Sequence, residues 1–169
     1  VADGETYTTS QTDPQDWIFL QDLATENPEL NIIQDEWQAN KNDTGSFTYQ
    51  LSDPTWGGYG NNWLSDMEIE SSILIGSNYQ LEMTGQWTIE ESYPTDDTLS
   101  DGLWVNVSTD HGESWTTLES NNTPYTFDNG TQSAWTGSMD EETISFDLSP
   151  FEGQNIKLKA SFISNGWVS

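Results

Sequence analysis

The chain contains no cysteine, no arginine and only three lysines. The absence of cysteine excludes disulfide bonds, zinc–thiolate sites and thiol catalysis. Without a basic surface to neutralise phosphates, nucleic acid is disfavoured as a partner, and an anionic membrane surface would repel the protein. No apolar run approaches the ~20 residues of a transmembrane helix. The segment from Val1 to Glu5 lacks the basic and apolar stretches of a signal peptide, so we expect that a signal was never present or has been removed.

Acidic residues dominate the charge that is present. The 29 Asp and Glu residues against three Lys give a formal net charge of −26 over 169 residues. Repulsion at this density destabilises a compact state, and salt or bound hard cations relieve it. Two settings fit this composition, a saline, halophilic environment and a calcium-loaded extracellular protein. Aliphatic residues are scarce, but nine Trp, six Tyr and six Phe can build a core, so we expect a folded chain.

Alternation of apolar and polar residues dominates the pattern, and helical spacing is nearly absent. Alternation of this kind predicts strands with one buried and one solvent-facing side. Turn residues such as Asp101-Gly102 and Asn129-Gly130 separate these runs. We therefore predict one all-β domain over residues 1–169, an antiparallel jelly-roll β-sandwich. The alternating runs are 47–51, 79–89, 103–107, 144–148 and 156–162.

The N-terminal segment, residues 1–45, fits this pattern less clearly. Trp17 to Leu20 is compatible with a buried strand, and also with a short helix that starts at Asp13-Pro14. We favour the strand, flanked by loops. No composition change is sharp enough to divide the chain, so the segment is assigned to the same domain.

Three stretches in the C-terminal part carry a family resemblance. Asp101 to Leu118 holds a strand, an Asp110-His111-Gly112 turn and a second strand that begins at Trp115. Ile144 to Gln154 and Ile156 to Gly166 follow it. With Trp56 to Asn62 and the strand around Ile69, they resemble the MAM-like and immune-inhibitor-A-like jelly-roll modules of secreted prokaryotic proteins, over residues 45 to 169. The resemblance implies a jelly-roll fold, an extracellular or cell-surface location and a calcium at a sheet edge.

The chain departs from that family pattern at two points. His111 stands where the family usually has glycine in the turn. Family members usually continue past the Ser164-Asn165-Gly166 turn into one more strand, whereas this chain stops at Ser169. Either more sequence follows, or a neighbouring molecule supplies the missing strand to an open sheet edge. In the second case the polar segment Gly4 to Gln11 is a candidate donor strand, as in a filament.

The acidic loop that follows the 79–89 run is the best candidate metal site. Calcium takes six to eight oxygen ligands and accepts carboxylates and carbonyls together. The alternative is a solvated acidic loop, and Asp110 and Asp147 are weaker candidate ligands. The predicted calcium ligands are Glu90, Glu91, Asp96, Asp97 and Asp101.

The tryptophans allow two interpretations. Trp56, Tyr59 and Trp63 lie in a loop rich in Gly and Asn, which is typical of a platform that stacks on sugar rings. The other interpretation, which we weight more heavily, is that the rings form the core of a sandwich poor in aliphatic residues. The sequons predict glycan acceptors at Asn42, Asn106, Asn121 and Asn129; Asn106 lies on the side of its strand that alternation assigns to solvent.

Catalysis has little support in the sequence. His111 is the only histidine and sits in a turn, so a catalytic triad is not expected. The alternating acids Asp66, Glu68 and Glu70 superficially resemble the carboxylates of jelly-roll glycosidases, but they equally fit the solvent-facing side of a strand. We therefore expect a non-catalytic extracellular protein. It would be a subunit of a cell-surface assembly of its own copies or an accessory module of a larger secreted protein, with glycan binding as the alternative.

Overall fold

The computed structural model describes residues 17–21, 37–41, 47–51, 59–69, 72–92 and 98–165. These residues form strands with almost no helix, which confirms the all-β prediction. A three-residue 3-10 turn, Ser149–Phe151, lies before the last strand. The strands are β1 (Trp17–Gln21), β2 (Trp37–Lys41), β3 (Phe47–Leu51), β4 (Leu64–Ile69), β5 (Ile73–Leu74), β6 (Gln80–Thr88), β7 (Gly102–Ser108), β8 (Thr116–Thr117), β9 (Phe127–Asp128), β10 (Ser133–Ala134), β11 (Ser138–Asp147) and β12 (Asn155–Ile163).

The main sheet has the strand order β1-β4-β12-β7-β8, with β5 beside the start of β12, and every pairing is antiparallel. Strand β12 lies at its centre, so Lys159 has Glu68 of β4 on one side and Asn106 of β7 on the other. Strand β1 confirms the strand prediction for Trp17 to Leu20. The suggested donor segment Gly4 to Gln11 lies outside the described residues.

Strands β6 and β11 form a second sheet, and the core lies between it and the main sheet. Ile144 and Phe146 of β11 are completely buried, and Leu158 and Phe162 of β12 meet them in the same cluster. The arrangement is β-sandwich-like. The described strands do not establish the jelly-roll connections that the sequence predicted.

Trp135 dominates this core and is almost fully buried. Its ring lies 4.4 Å from the ring of Tyr125, 5.3 Å from that of Trp87 and 6.1 Å from that of Phe146, measured between centroids. The indole N–H donates a hydrogen bond to the carbonyl of Thr123. Aromatic rings therefore fill the space that the scarce aliphatic residues leave, as the composition predicted.

The two smaller pairings are hairpins, β2–β3 and β9–β10. The Asn129-Gly130 turn between β9 and β10 agrees with the turn prediction, and Gly130 has a φ of 82°. The Asn129 side-chain oxygen accepts hydrogen bonds from the N–H groups of Thr131 and Gln132. No helix among the described residues is long and apolar enough to span a membrane.

Candidate functional site: an acidic node, a covered sheet face and an open sheet edge

Two of the predicted calcium ligands meet at one tyrosine. Glu90 follows β6 and Asp101 precedes β7, so the two strand ends bring them to the same edge of the sandwich. The Glu90 N–H donates to the hydroxyl oxygen of Tyr59 at 2.9 Å, and that hydroxyl donates to the carboxylate of Asp101. Burial, reinforced by the hydrogen bond to Asp101, raises the pKa of Tyr59. Glu90, Asp101 and Tyr59 are called the acidic node below.

The acidic node holds carboxylate oxygens away from water. Asp101 is only 1% exposed, and its Oδ1 accepts a hydrogen bond from the Asn165 N–H at 2.7 Å. Glu90 Oε2 is buried and has no hydrogen-bond partner. A buried carboxylate oxygen without a partner is costly, and a bound cation is one way to remove that cost. Two carboxylates fit part of a hard-cation ligand set.

Glu90 and Asp101 are the predicted ligands that the described residues place at this node. Glu91 is exposed, and Asp96 and Asp97 lie outside the described residues. Over the described ranges, no group of three or more His, Cys, Asp or Glu side chains is placed to hold a metal ion. Asp110 and Asp147, the weaker candidates, each accept hydrogen bonds from nearby serines instead.

The predicted sugar platform is divided by the fold. Trp63 is 5% exposed and belongs to the core, and Gly60 lies directly against its indole ring. The Tyr59 ring packs edge-on against Phe162, with centroids 5.0 Å apart. Trp56 lies outside the described residues. These placements favour the core interpretation of Tyr59 and Trp63 over the sugar-stacking one.

The outer face of the main sheet is covered, which corrects the prediction of a solvent-facing side there. Lys159 Nζ lies 2.9 Å from Asp66 Oδ2, and Lys157 forms an ion pair with Glu68. The Trp115 ring lies 4.6 Å from Lys159 Nζ. Glu68 is consequently only 7% exposed. Two of the chain's three lysines pair with acids here, so Asp66 and Glu68 are not shielded from water as unpaired charges.

Alternation alone could not identify this covered face, because the covering residues come from a loop rather than a strand. The available sequence clue is that Lys157 and Lys159 have the same parity on β12, and Asp66 and Glu68 share a parity on β4. Both carboxylates are engaged by lysines, and Glu70 of the glycosidase-like pattern lies outside the described residues.

The glycan-acceptor prediction is wrong for Asn106. Asn106 is 6% exposed, and its side-chain amide donates to Ser161 Oγ at 3.0 Å. The physical reason is the covered face just described, which leaves no room for a glycan. Asn121 is exposed and Asn129 is half-buried in its turn. Asn42 lies outside the described residues.

The turn that holds the covering loop is built from serine and aspartate side chains. Asp110 accepts hydrogen bonds from the hydroxyls of Ser108 and Ser114 and from the Ser114 N–H. The bonds from Ser114, followed by the one from Ser108, lower the pKa of Asp110. His111 has a φ of 66°, a left-handed conformation that favours glycine.

The two strands of the second sheet differ at their outer edges. Along β11, Asn122 accepts from the Ser145 N–H at 2.9 Å and donates to the Thr143 carbonyl at 2.8 Å. The Asn121 N–H donates to the Ser145 carbonyl. Among the described residues, β6 pairs only with β11, so its other edge has no strand beside it.

Comparisons with protein-family models, with characterised proteins and with solved structures find no match to this chain. The resemblance to MAM-like and immune-inhibitor-A-like modules therefore stays a prediction.

Proposed function

We propose that this chain is a non-catalytic structural protein of the extracellular space or cell surface, which acts as a subunit of a larger assembly. The observation that carries the proposal is the edge of β6 that faces away from β11, beside which no strand lies among the described residues. An unpaired strand edge beside a partly exposed core is a template for strand addition, and native monomers normally block such edges. The extreme acidity supports a salt-rich or calcium-rich extracellular setting.

The proposed assembly is tested by light scattering after size-exclusion chromatography in high salt, with millimolar calcium and then with EDTA. We expect species larger than a monomer, because salt screens the net charge of −26 and the open edge then finds a partner. A monomer in all of these buffers would contradict the assembly role and leave an accessory module as the better interpretation.

The proposal includes calcium as a stabilising ligand at the acidic node. The unpartnered buried oxygen of Glu90 and the buried Asp101 carboxylate support it. A ligand that binds only the folded state stabilises it by about 2.7 kcal/mol at a concentration 100 times its Kd. We therefore expect millimolar calcium to raise the unfolding temperature by several degrees, by the usual scaling of Tm with stability.

The matched variants are Glu90→Gln and Glu141→Gln, which remove the same charge at the node and at an exposed position of β11. Glu141→Gln should retain the calcium-dependent rise in unfolding temperature, and Glu90→Gln should lose most of it. An equal rise in both variants would place the bound calcium somewhere other than the acidic node.

A further inference from the structure

The backbone of β6 directs hydrogen-bonding groups at its outer edge, which is the edge without a neighbouring strand in the part of the chain that the structure describes. On β11, the Thr143 carbonyl and the Ser145 N–H bond to Asn122, so they point away from β6. The backbone N–H and carbonyl groups of the alternate residues, Ile144 and Phe146, therefore point at β6. Their partners Met83 and Leu81 point back at β11. Because these directions alternate along an antiparallel strand, the backbone groups of the even-numbered residues of β6, from Gln80 to Thr88, face the free edge.

The core-facing side chains are also less buried on β6 than on β11. Leu81 and Met83 pack against the core but are only partly buried, whereas their partners on β11, Phe146 and Ile144, are completely buried. A Cβ placed on Gly85 would meet nothing within 4 Å. One more strand beside β6 would cover these apolar side chains and satisfy the outward backbone groups together.

The sequence of β6 complements itself in antiparallel orientation. When two copies of Gln80–Thr88 are aligned about Thr84, Leu81 faces Trp87 and Met83 faces Gly85 on the core side. A long side chain thus meets the open glycine. On the opposite side Glu82 faces Gln86, so the single carboxylate of the strand does not face its own copy. This strand therefore avoids the repulsion that the rest of an acidic surface would cause.

We propose that β6 of one molecule pairs antiparallel with β6 of a second copy across a two-fold axis centred on Thr84, joining the two β6–β11 sheets into one four-stranded sheet. A two-fold interface uses the same patch on both copies, which a self-complementary strand requires. The pairing deepens the proposed assembly role and rests on it, because it names the partner, the strand and the register.

The absence of cysteine makes disulfide trapping a clean test of the register. In this pairing Thr84 lies opposite its own copy as a hydrogen-bonded pair, with Cα atoms about 5.5 Å apart, within the range that a disulfide spans. Oxidised Thr84→Cys should therefore run as a covalent dimer on a non-reducing gel. Thr143→Cys is the matched control. The Thr143 side chain is exposed beside that of Thr84, with the two hydroxyl oxygens 2.8 Å apart. Thr143 belongs to β11, however, and Asn122 covers the outer edge of that strand. It should remain monomeric on the gel.

A second pair of variants tests the interface without a crosslink. Thr84→Glu places two carboxylates opposite each other at the two-fold axis and should shift the scattering mass from dimer or larger to monomer. Thr84→Gln should retain the wild-type mass. Both substitutions are at an exposed position, so the fold is retained, and circular dichroism checks this.

The outcomes separate the two proposals. Larger species in the wild type, together with efficient crosslinking of Thr84→Cys alone and loss of assembly in Thr84→Glu, support the pairing. Larger species that survive Thr84→Glu, without a Thr84→Cys crosslink, overturn the β6 pairing and leave the assembly role standing. A wild type that is monomeric in every buffer overturns both.

Discussion

At the scale of single residues, similar aliphatic side chains have very different surroundings in this fold. Ile144 is completely buried between the sheets, whereas Leu74 at the end of β5 remains 60% exposed. Burial of apolar area and close packing dominate the stability of small domains. The energetic weight of a residue therefore depends on which side of its strand meets the core.

Ile144→Ala should lower the free energy of unfolding by about 2–5 kcal/mol, because it removes buried methyl groups and leaves a cavity. Leu74→Ala, the control, should change it by less than about 0.5 kcal/mol. Urea unfolding followed by tryptophan fluorescence measures both. Equal losses in the two variants would contradict the burial difference.

Asp110 provides a pH-dependent test at the same scale. Hydrogen bonds from Ser114 and Ser108 hold its pKa below that of an unfolded chain. A depressed folded-state pKa adds stability that is fully present above the unfolded pKa and is lost as the pH falls toward the folded one. Asp110→Asn should therefore lower the unfolding temperature at pH 7, and the difference from wild type should shrink below about pH 4.

Thermal unfolding of the wild type and Asp110→Asn from pH 7 to pH 2 measures this effect. Asp128→Asn is a useful comparison, since Asp128 also accepts a backbone hydrogen bond within its own turn but lies far along the chain from the covering loop. A difference between wild type and Asp110→Asn that grows on acidification would contradict the assigned direction.

At the scale of elements, two ion pairs join the neighbouring strands β12 and β4 of the main sheet. Lys157 with Glu68 and Lys159 with Asp66 lie under the loop that carries Trp115, mostly shielded from water. Removing one partner of a shielded pair leaves an unpaired charge, whereas removing both partners leaves none. The pairs thus make β4 and β12 dependent on each other.

Glu68→Gln should lower the free energy of unfolding by about 2 kcal/mol, and Lys157→Met should have a similar effect. The double variant should cost less than the sum, with a coupling of about 0.5–3 kcal/mol. Strictly additive losses in urea unfolding would show that the pair does not contribute.

The turn before β8 gives a prediction with the opposite sign. His111 holds a left-handed backbone that costs a residue with a Cβ about 1–2 kcal/mol, and glycine avoids that cost. His111→Gly should therefore raise the free energy of unfolding by about 1 kcal/mol, after allowing for the greater freedom of glycine in the unfolded chain. Glu113→Gly, at an exposed position of the same loop without a positive φ, should lower it.

At the scale of the whole molecule, a net charge of −26 opposes compaction and association together. Raising the ionic strength from about 0.1 to about 1 M shortens the screening length from about 10 to about 3 Å. Salt therefore acts on all surface charges, whereas calcium at the acidic node acts on one place. This difference allows an experiment to distinguish salt adaptation from calcium binding, two explanations of the acidity that the composition alone does not separate.

Sodium chloride should raise the unfolding temperature of the wild type and of Glu90→Gln by the same amount. Calcium at fixed ionic strength should raise the unfolding temperature of the wild type much more than that of Glu90→Gln. Thermal unfolding in matched buffers measures both responses. A calcium response that sodium chloride reproduces fully would indicate screening alone.

The sequence by itself determined the class of fold, because alternation and turn residues are local properties that each strand and hairpin carries on its own. It predicted the strand at Trp17, the Asn129-Gly130 turn and the aromatic core. It also included Glu90 and Asp101 among the candidate calcium ligands, because both belong to a loop with several carboxylates and no basic residue.

Only the tertiary structure decided which polar faces meet water and which acidic residues lie beside the same tyrosine. Alternation assigns one side of β4, β7 and β12 to solvent, but a loop closed by Asp110 covers that side and buries Asn106 and Glu68. The contacts of Glu90 and Asp101 with Tyr59, and the pairing of β6 with β11 alone among the described strands, depend on residues far apart in the chain. A periodic pattern describes one strand at a time, so it carries no information about what packs against that strand.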